Sequence, residues 1–237
     1  MKFSANEPPL SESQQDYLKQ IFLLGGAGGS VNTQSLAERL GVRPASVTGM
    51  VQRLAQLGLV EHRRYRGVRL TEAGGRVALE MLRHHRLLET FLATALGYSW
   101  DEVHDEAERL EHVISERFEE KIAEVLGHPT HDPHGDPIPD ADLRLPERRG
   151  GVPMTGVAAP ATGTIVRVSA QDRDSLSLLD RLGLVPGTRI DVLEETSDGV
   201  RVSGAGSRYM LPGRSSPASR KHQATKEAHQ GLASPKL

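Results

Sequence analysis

The order of elements up to Thr71 is the tightest constraint this sequence carries. Ser11 to Leu24 has helical apolar spacing through Tyr17, Leu18, Ile21, Phe22 and Leu24. Gly25-Gly26-Ala27-Gly28-Gly29 ends that helix, because glycine stops helices and permits turns. Thr33 to Leu40 is a short second helix that Asn32 or Thr33 can cap. Gly41-Val42 is a tight turn, and Pro44 sits in the first turn of a third helix running to about Leu57. Leu59–His62 and Gly67–Thr71 then read as two short strands around a basic tip, Arg63-Arg64-Tyr65-Arg66. Helix, helix–turn–helix and hairpin in that order make a winged helix–turn–helix.

Beyond the hairpin the pattern is helical, then changes. Thr71 opens a long helix to about Leu96, and Asp101 to Leu126 reads as one further helix. Such a helical pair suits a dimer interface. Gly127 to Gly151 is rich in Pro, His and Asp and reads as an irregular connector; the spacing of three between His128, His131 and His134 could bind metal, but a structural turn is the favoured reading. From about Pro153 the residues alternate as strands do, at Gly163–Ser169, Arg189–Leu193 and Gly199–Ser203, with a short helix over Ser175–Leu182. The expected fold is mainly α with a C-terminal β domain. Residues 1–72 form the winged helix–turn–helix and 73–150 a helical dimerisation and metal-binding domain. Residues 151–214 form a small β-barrel, and 215–237 a basic disordered tail.

Charge separates two functions. The net charge is only −2, yet Gly41–Arg76 holds seven arginines against two glutamates, whereas Asp101–Glu124 holds ten acids against three bases. The basic stretch suits a polyanion and the acidic one a cation. On the third helix Arg43, Pro44, Ser46, Thr48, Gln52 and Arg53 present a surface for base edges and phosphates. Gln pairs with adenine, and Arg with guanine or phosphate. Arg63, Arg64 and Arg66 on the wing suit backbone phosphate. The expected partner is double-stranded DNA.

The chain has ten histidines and no cysteine, which excludes disulfides and every thiolate metal site. Any metal must be held by nitrogen and oxygen. His104, Glu108, Glu111 and His112 lie three to four residues apart or adjacent, and His85 and Glu89 lie one turn apart on the preceding helix. If the two helices pack, these donors converge, and the set suits Mn(II) or Fe(II) better than closed tetrahedral zinc. No run of 18 apolar residues predicts a membrane span, and no secretory signal pattern opens the chain, so a cytoplasmic location is expected.

Several motifs together resemble the diphtheria toxin repressor family of metal-dependent transcription regulators, over about residues 8–214. They are Asp16-Tyr-Leu18, Arg43-Pro-Ala-Ser-Val-Thr-Gly-Met-Val-Gln-Arg-Leu54, Arg64-Tyr-Arg-Gly67, His85-Arg-Leu-Leu-Glu89, Val103-His-Asp-Glu-Ala-Glu-Arg-Leu-Glu-His112 and Pro133-His-Gly-Asp-Pro-Ile-Pro139. The resemblance implies a homodimer that binds its operator when metal-loaded. It implies a primary site at Asp16, Glu108, Glu111 and His112, and an ancillary site at His85, Glu89 and His104. The terminal barrel resembles the SH3-like domain of the family's long members, in which it donates two more ligands; these fall on Gln171 and Asp174, with Asp172 as an alternative. Asp16 and Glu108 stand where the iron-responsive branch has Met and Cys, which implies Mn(II), with Fe(II) second. Lys19 stands where short manganese regulators have a Glu, which implies two separated sites rather than a close metal pair. The alternatives are a winged-helix regulator sensing an organic ligand, and a metallohydrolase built on the same donors.

Overall fold

A computed structural model of the chain describes residues 9–26, 28–63, 66–146, 150–169, 173–197, 199–204 and 206–212. It divides into two compact units, Met1–Glu147 and Arg148–Leu237. The tail from 215 onward lies outside the described residues.

The first unit begins with α1, Glu12–Gly25, which a capping box starts: the Ser11 side chain accepts from Gln14 N, and the Gln14 side chain accepts from Ser11 N. Gly26, at φ +66°, ends it. α2, Thr33–Leu40, is capped by Asn32 and stopped by left-handed Gly41. α3, Pro44–Gln56, has Pro in its first turn and buries Val47, Val51 and Leu54 at helical spacing. The wing follows as β1, Val60–Arg63, antiparallel to β2, Gly67–Leu70. A bridge between Val31 and Val68 ties the wing to the chain ahead of α2.

α4, Glu72–Ala95, is the spine of this unit, about 36 Å long at 1.5 Å per residue. Its first half (Val77, Ala78, Leu82) closes the core formed by α1–α3 and the wing. Its second half (Leu87, Leu88, Leu92) packs with Val103, Ala107, Ile122, Ala123 and Ile138 in a separate core. One helix thus serves both the DNA-reading module and the acidic module.

The single helix expected over Asp101–Leu126 is instead two, α5 (Val103–Leu110) and α6 (Glu116–Val125). The break is satisfied locally. Ser115 caps α6 by accepting from Phe118 N at 3.2 Å, and the Glu111 carbonyl accepts from His84 Nδ1 at 3.1 Å. The connector after α6 is strapped onto α4, with Arg83 Nη1 donating to the Pro139 carbonyl and Arg86 Nη1 to that of Pro137, both at 2.6 Å.

The second unit is a four-stranded antiparallel sheet in sequential order: β3 (Ala161–Thr164), β4 (Arg189–Thr196), β5 (Gly199–Gly204) and β6 (Ser207–Pro212). α7, Arg173–Arg181, lies between β3 and β4 in sequence. β4 and β5 alternate, burying Ile190, Val192, Val200 and Val202. Two details differ from expectation. β3 starts and ends earlier than Gly163–Ser169, and a further strand, β6, pairs with β5 through a turn at Gly206.

Candidate metal centre

Among the described residues, three groups of metal-capable side chains come together in the first unit. The first joins α1 to the end of α5. Asp16 Oδ1 lies 3.1 Å from His112 Nε2, and Glu111 Oε1 lies 3.5 Å from the same nitrogen. His112 Nδ1 donates to Gln15 Oε1 at 2.6 Å, so Nε2 is the ring atom that faces the two carboxylates. Burial pushes the Asp16 carboxyl up, against the pull of His112 and Lys19. Glu108 is half exposed and flanks the group, with Oε1 at 3.5 Å from Lys19 Nζ and 3.9 Å from His104 Nε2.

The second group is His85, Glu89 and His104. His85 Nε2, Glu89 Oε1 and His104 Nδ1 form a triangle with edges of 3.0, 3.0 and 3.1 Å. Three cis ligands of an octahedral ion with bonds of about 2.1 Å are spaced by about that distance. The residues therefore fit a divalent ion of that kind. His85 Nδ1 reaches Glu111 Oε2 at 2.5 Å, which links this group to the first. Burial works to lower the His85 imidazole, but Glu89 beside it and the bond to Glu111 outweigh burial and hold it at about 9. Burial also works to raise Glu89, and His85, His104 and His134 outweigh it, holding the carboxyl well below its usual range.

The third group was missed by sequence reasoning. Glu89, Asp132 and His134 are all buried, with His134 Nδ1 at 3.7 Å from Glu89 Oε2. His134 does sit in a turn, where its N–H and that of Asp136 both donate to Asp132 Oδ1 at 2.9 Å. Burial, with Glu89 and Asp136 nearby, pushes the Asp132 carboxyl up to about 7. The sequence signal was the Asp-Pro-His run at 132–134, but nothing local says that it folds back onto Glu89.

Asp174 is exposed in the first turn of α7, in the second unit; Gln171 and Asp172 lie outside the described residues. On the DNA-reading side, Arg43, Pro44, Ser46, Thr48, Gln52 and Arg53 are all exposed on or beside α3, and Arg66 is exposed at the wing. Arg63 ends β1 and Arg64 lies outside the described residues.

Comparison with known proteins identifies what such a constellation belongs to. Residues 9–68 match the iron dependent repressor N-terminal DNA binding domain, and residues 71–140 the iron dependent repressor metal binding and dimerisation domain. Residues 152–215 match the FeoA domain. Over 208 residues the chain is 34% identical to the iron-dependent repressor IdeR of Mycobacterium tuberculosis, covering 81% of this chain and 89% of that one. The chain belongs to the iron-dependent and diphtheria toxin repressor family. A diphtheria toxin repressor from Corynebacterium efficiens is 33% identical over 197 residues, covering 78% of this chain and 85% of its own. A solved manganese-dependent transcriptional repressor in complex with manganese superposes with a TM-score of 0.74 at 40% identity, covering 84% of this chain and 94% of that one.

Members of this repressor family are metal-dependent, DNA-binding transcriptional regulators and not enzymes, which removes the metallohydrolase alternative. The exposed apolar residues Val113, Phe118 and Val125 fall within the stretch that matches the metal binding and dimerisation domain. No helix among the described residues is long and apolar enough to cross a membrane.

Proposed function

We propose that this repressor-family chain is a Mn(II)-responsive regulator, with Fe(II) as the second reading, acting on operator DNA in the cytosol as a homodimer. The observation that carries it is the donor chemistry: Asp16, Glu111 and His112 meet in one group and His85, Glu89 and His104 in another, with oxygen and imidazole only. Hard and borderline donors of this kind favour Mn(II) over softer ions. The manganese-bound repressor at 40% identity supports the same choice, whereas the mycobacterial relative, named for iron, favours Fe(II).

Asp16 and Gln15 belong to α1, within the DNA-binding stretch, and Glu108, Glu111 and His112 to the α5 end of the dimerisation stretch. A bound divalent ion supplies the charge that lets the carboxylates of both stretches share one centre. Gln15 holds the His112 ring in the ligating tautomer, and α4 carries the alignment between the two cores. Only a difference in metal affinity between DNA-competent and incompetent arrangements shifts the population, and a coupling of about 1–3 kcal/mol changes DNA affinity roughly 5–150-fold. Arg43, Ser46, Thr48, Gln52 and Arg53 would then read the major groove, with Arg63, Arg64 and Arg66 on phosphate.

The test is operator footprinting with purified apo-protein titrated with Mn(II), Fe(II), Zn(II) and Co(II). The expected result is protection at the lowest free concentration with Mn(II), relative to each ion's cellular range, and its loss in Glu108→Ala and His112→Ala dimers. Metal-stimulated protection that survives both substitutions refutes the site, and protection with Fe(II) alone refutes the metal.

A further inference from the structure

Glu111 and His112, two members of the first group, stand in the turn between α5 and α6. Glu111 N still donates to the Ala107 carbonyl of α5 at 2.9 Å. In one continuous helix the Glu111 carbonyl would in turn accept from the N–H of residue 115. Here Ser115 opens α6 as its cap, and the His84 ring supplies the donor instead, with Nδ1 donating to the Glu111 carbonyl at 3.1 Å. On the next residue of α4, His85 Nδ1 meets Glu111 Oε2 at 2.5 Å. Two consecutive side chains of α4 therefore grip Glu111, one by its backbone and one by its carboxylate. We infer that His84 is a positioning residue of the first group: its bond to the Glu111 carbonyl fixes the turn that aims Glu111 and His112 at a metal shared with Asp16.

The setting of the ring carries this role, which rests on the metal reading proposed above. Its other nitrogen, Nε2, lies 2.8 Å from Glu119 Oε2 of α6 but off the line of a hydrogen bond, whereas the bond from Nδ1 is aligned. The carbonyl, and not the carboxylate, is therefore the group to which the ring is set. His84 is held in its turn. It is 7% exposed, and Glu119 also pairs with Arg83 Nε, while Arg83 Nη1 donates to the Pro139 carbonyl at 2.6 Å. An enclosed ring on a long helix has little freedom, so the turn at Glu111 inherits the placement of α4. Partners that orient a ligand without touching the metal are typically worth about 10–100-fold in metal affinity.

The experiment uses the full chain in a Glu89→Gln background, which removes the carboxylate shared by the second and third groups so that the first is read by itself. His84→Asn keeps a donor at the position of Nδ1, His84→Gln places one at the position of Nε2, and His84→Leu keeps neither. Mn(II) affinity is read by electron paramagnetic resonance of the free ion, and thermal unfolding is followed in chelator. His84→Asn should hold the affinity within about threefold of the parent, and His84→Gln and His84→Leu should weaken it about 10–100-fold, whatever each does to Tm. With Glu89 restored, His84→Gln should raise by a similar factor the Mn(II) concentration that half-protects a duplex footprinted by the metal-loaded parent, and leave protection at saturating Mn(II) unchanged. A His84→Asn protein that binds Mn(II) no better than His84→Leu overturns the inference. So does a His84→Gln protein that keeps the affinity, because the role then belongs to the Glu119 contact. If His84→Leu does not fold, Asn against Gln decides. If none of the three folds, Glu119→Gln decides: it keeps His84 and its carbonyl bond and should hold the parent affinity, and a tenfold loss overturns the inference. Absence of Mn(II) binding with His84 in place refutes the metal site itself, a result distinct from every variant effect.

Discussion

Removing Glu111 from the metal-free protein probes a buried carboxylate whose two oxygens are each held by a basic side chain. Its carboxylate is fully enclosed, with Lys19 Nζ and His85 Nδ1 each at 2.5 Å on its two oxygens. These partners outweigh burial and hold its carboxyl below the ordinary range, with the bond from His85 leading. Glu111→Leu leaves the Lys19 ammonium buried, facing the half-exposed Glu108 carboxylate at 3.5 Å. Breaking a buried ion pair by removing one partner costs about 3–5 kcal/mol, because the other charge stays desolvated. At about 2–4 °C per kcal/mol for a chain of this size, Tm should fall by on the order of 10 °C. Removing both charges is a different perturbation: Lys19→Met/Glu111→Leu should recover at least half of the loss, since apolar replacement of a buried pair is often neutral or better. Calorimetry of the four proteins in chelator gives the coupling energy directly. A Glu111→Leu cost below about 1 kcal/mol, the range of an exposed pair, refutes the reasoning. So does a double variant as unstable as the single one.

Three further perturbations test other parts of the same unit. In the metal-free state His85 is held at about 9 against an unfolded value near 6.5. The native state therefore binds the extra proton between those values: its contribution is full below about pH 6.5 and is lost as pH rises through about 9, on the order of 3 kcal/mol in all. Tm in chelator should fall across that window and lose the slope in His85→Gln; a rising Tm contradicts the assignment. Gly74→Ala should destabilise by about 1–3 kcal/mol or more in denaturant titration, because its Cβ would lie 1.9 Å from the Leu59 carbonyl oxygen, a backbone atom under the start of α4. Ser115→Ala should cost about 1 kcal/mol by removing the α6 cap, whereas one continuous helix through that point would leave stability unchanged.

The winged helix–turn–helix was readable because its signals are local. Apolar spacing, Pro44 in a first turn and glycines at 26, 41 and 58 with positive φ each act within a few residues. The donors His85, Glu89, His104, Glu108, Glu111 and His112 were readable as two helix faces for the same reason. The break between α5 and α6 was not, since Val113 and Ile114 keep a helical apolar pattern while the Ser115 cap and the His84 contact to the Glu111 carbonyl hold it open. Which faces meet is decided when whole helices dock. Periodicity says nothing of Lys19 against Glu111, 92 residues apart, or of Gln15 against His112, 97 residues apart. Nor does it bring His134 back to Glu89. These pairs exist because α4 serves two cores at once, and a buried charge must be neutralised by whatever that docking brings within reach.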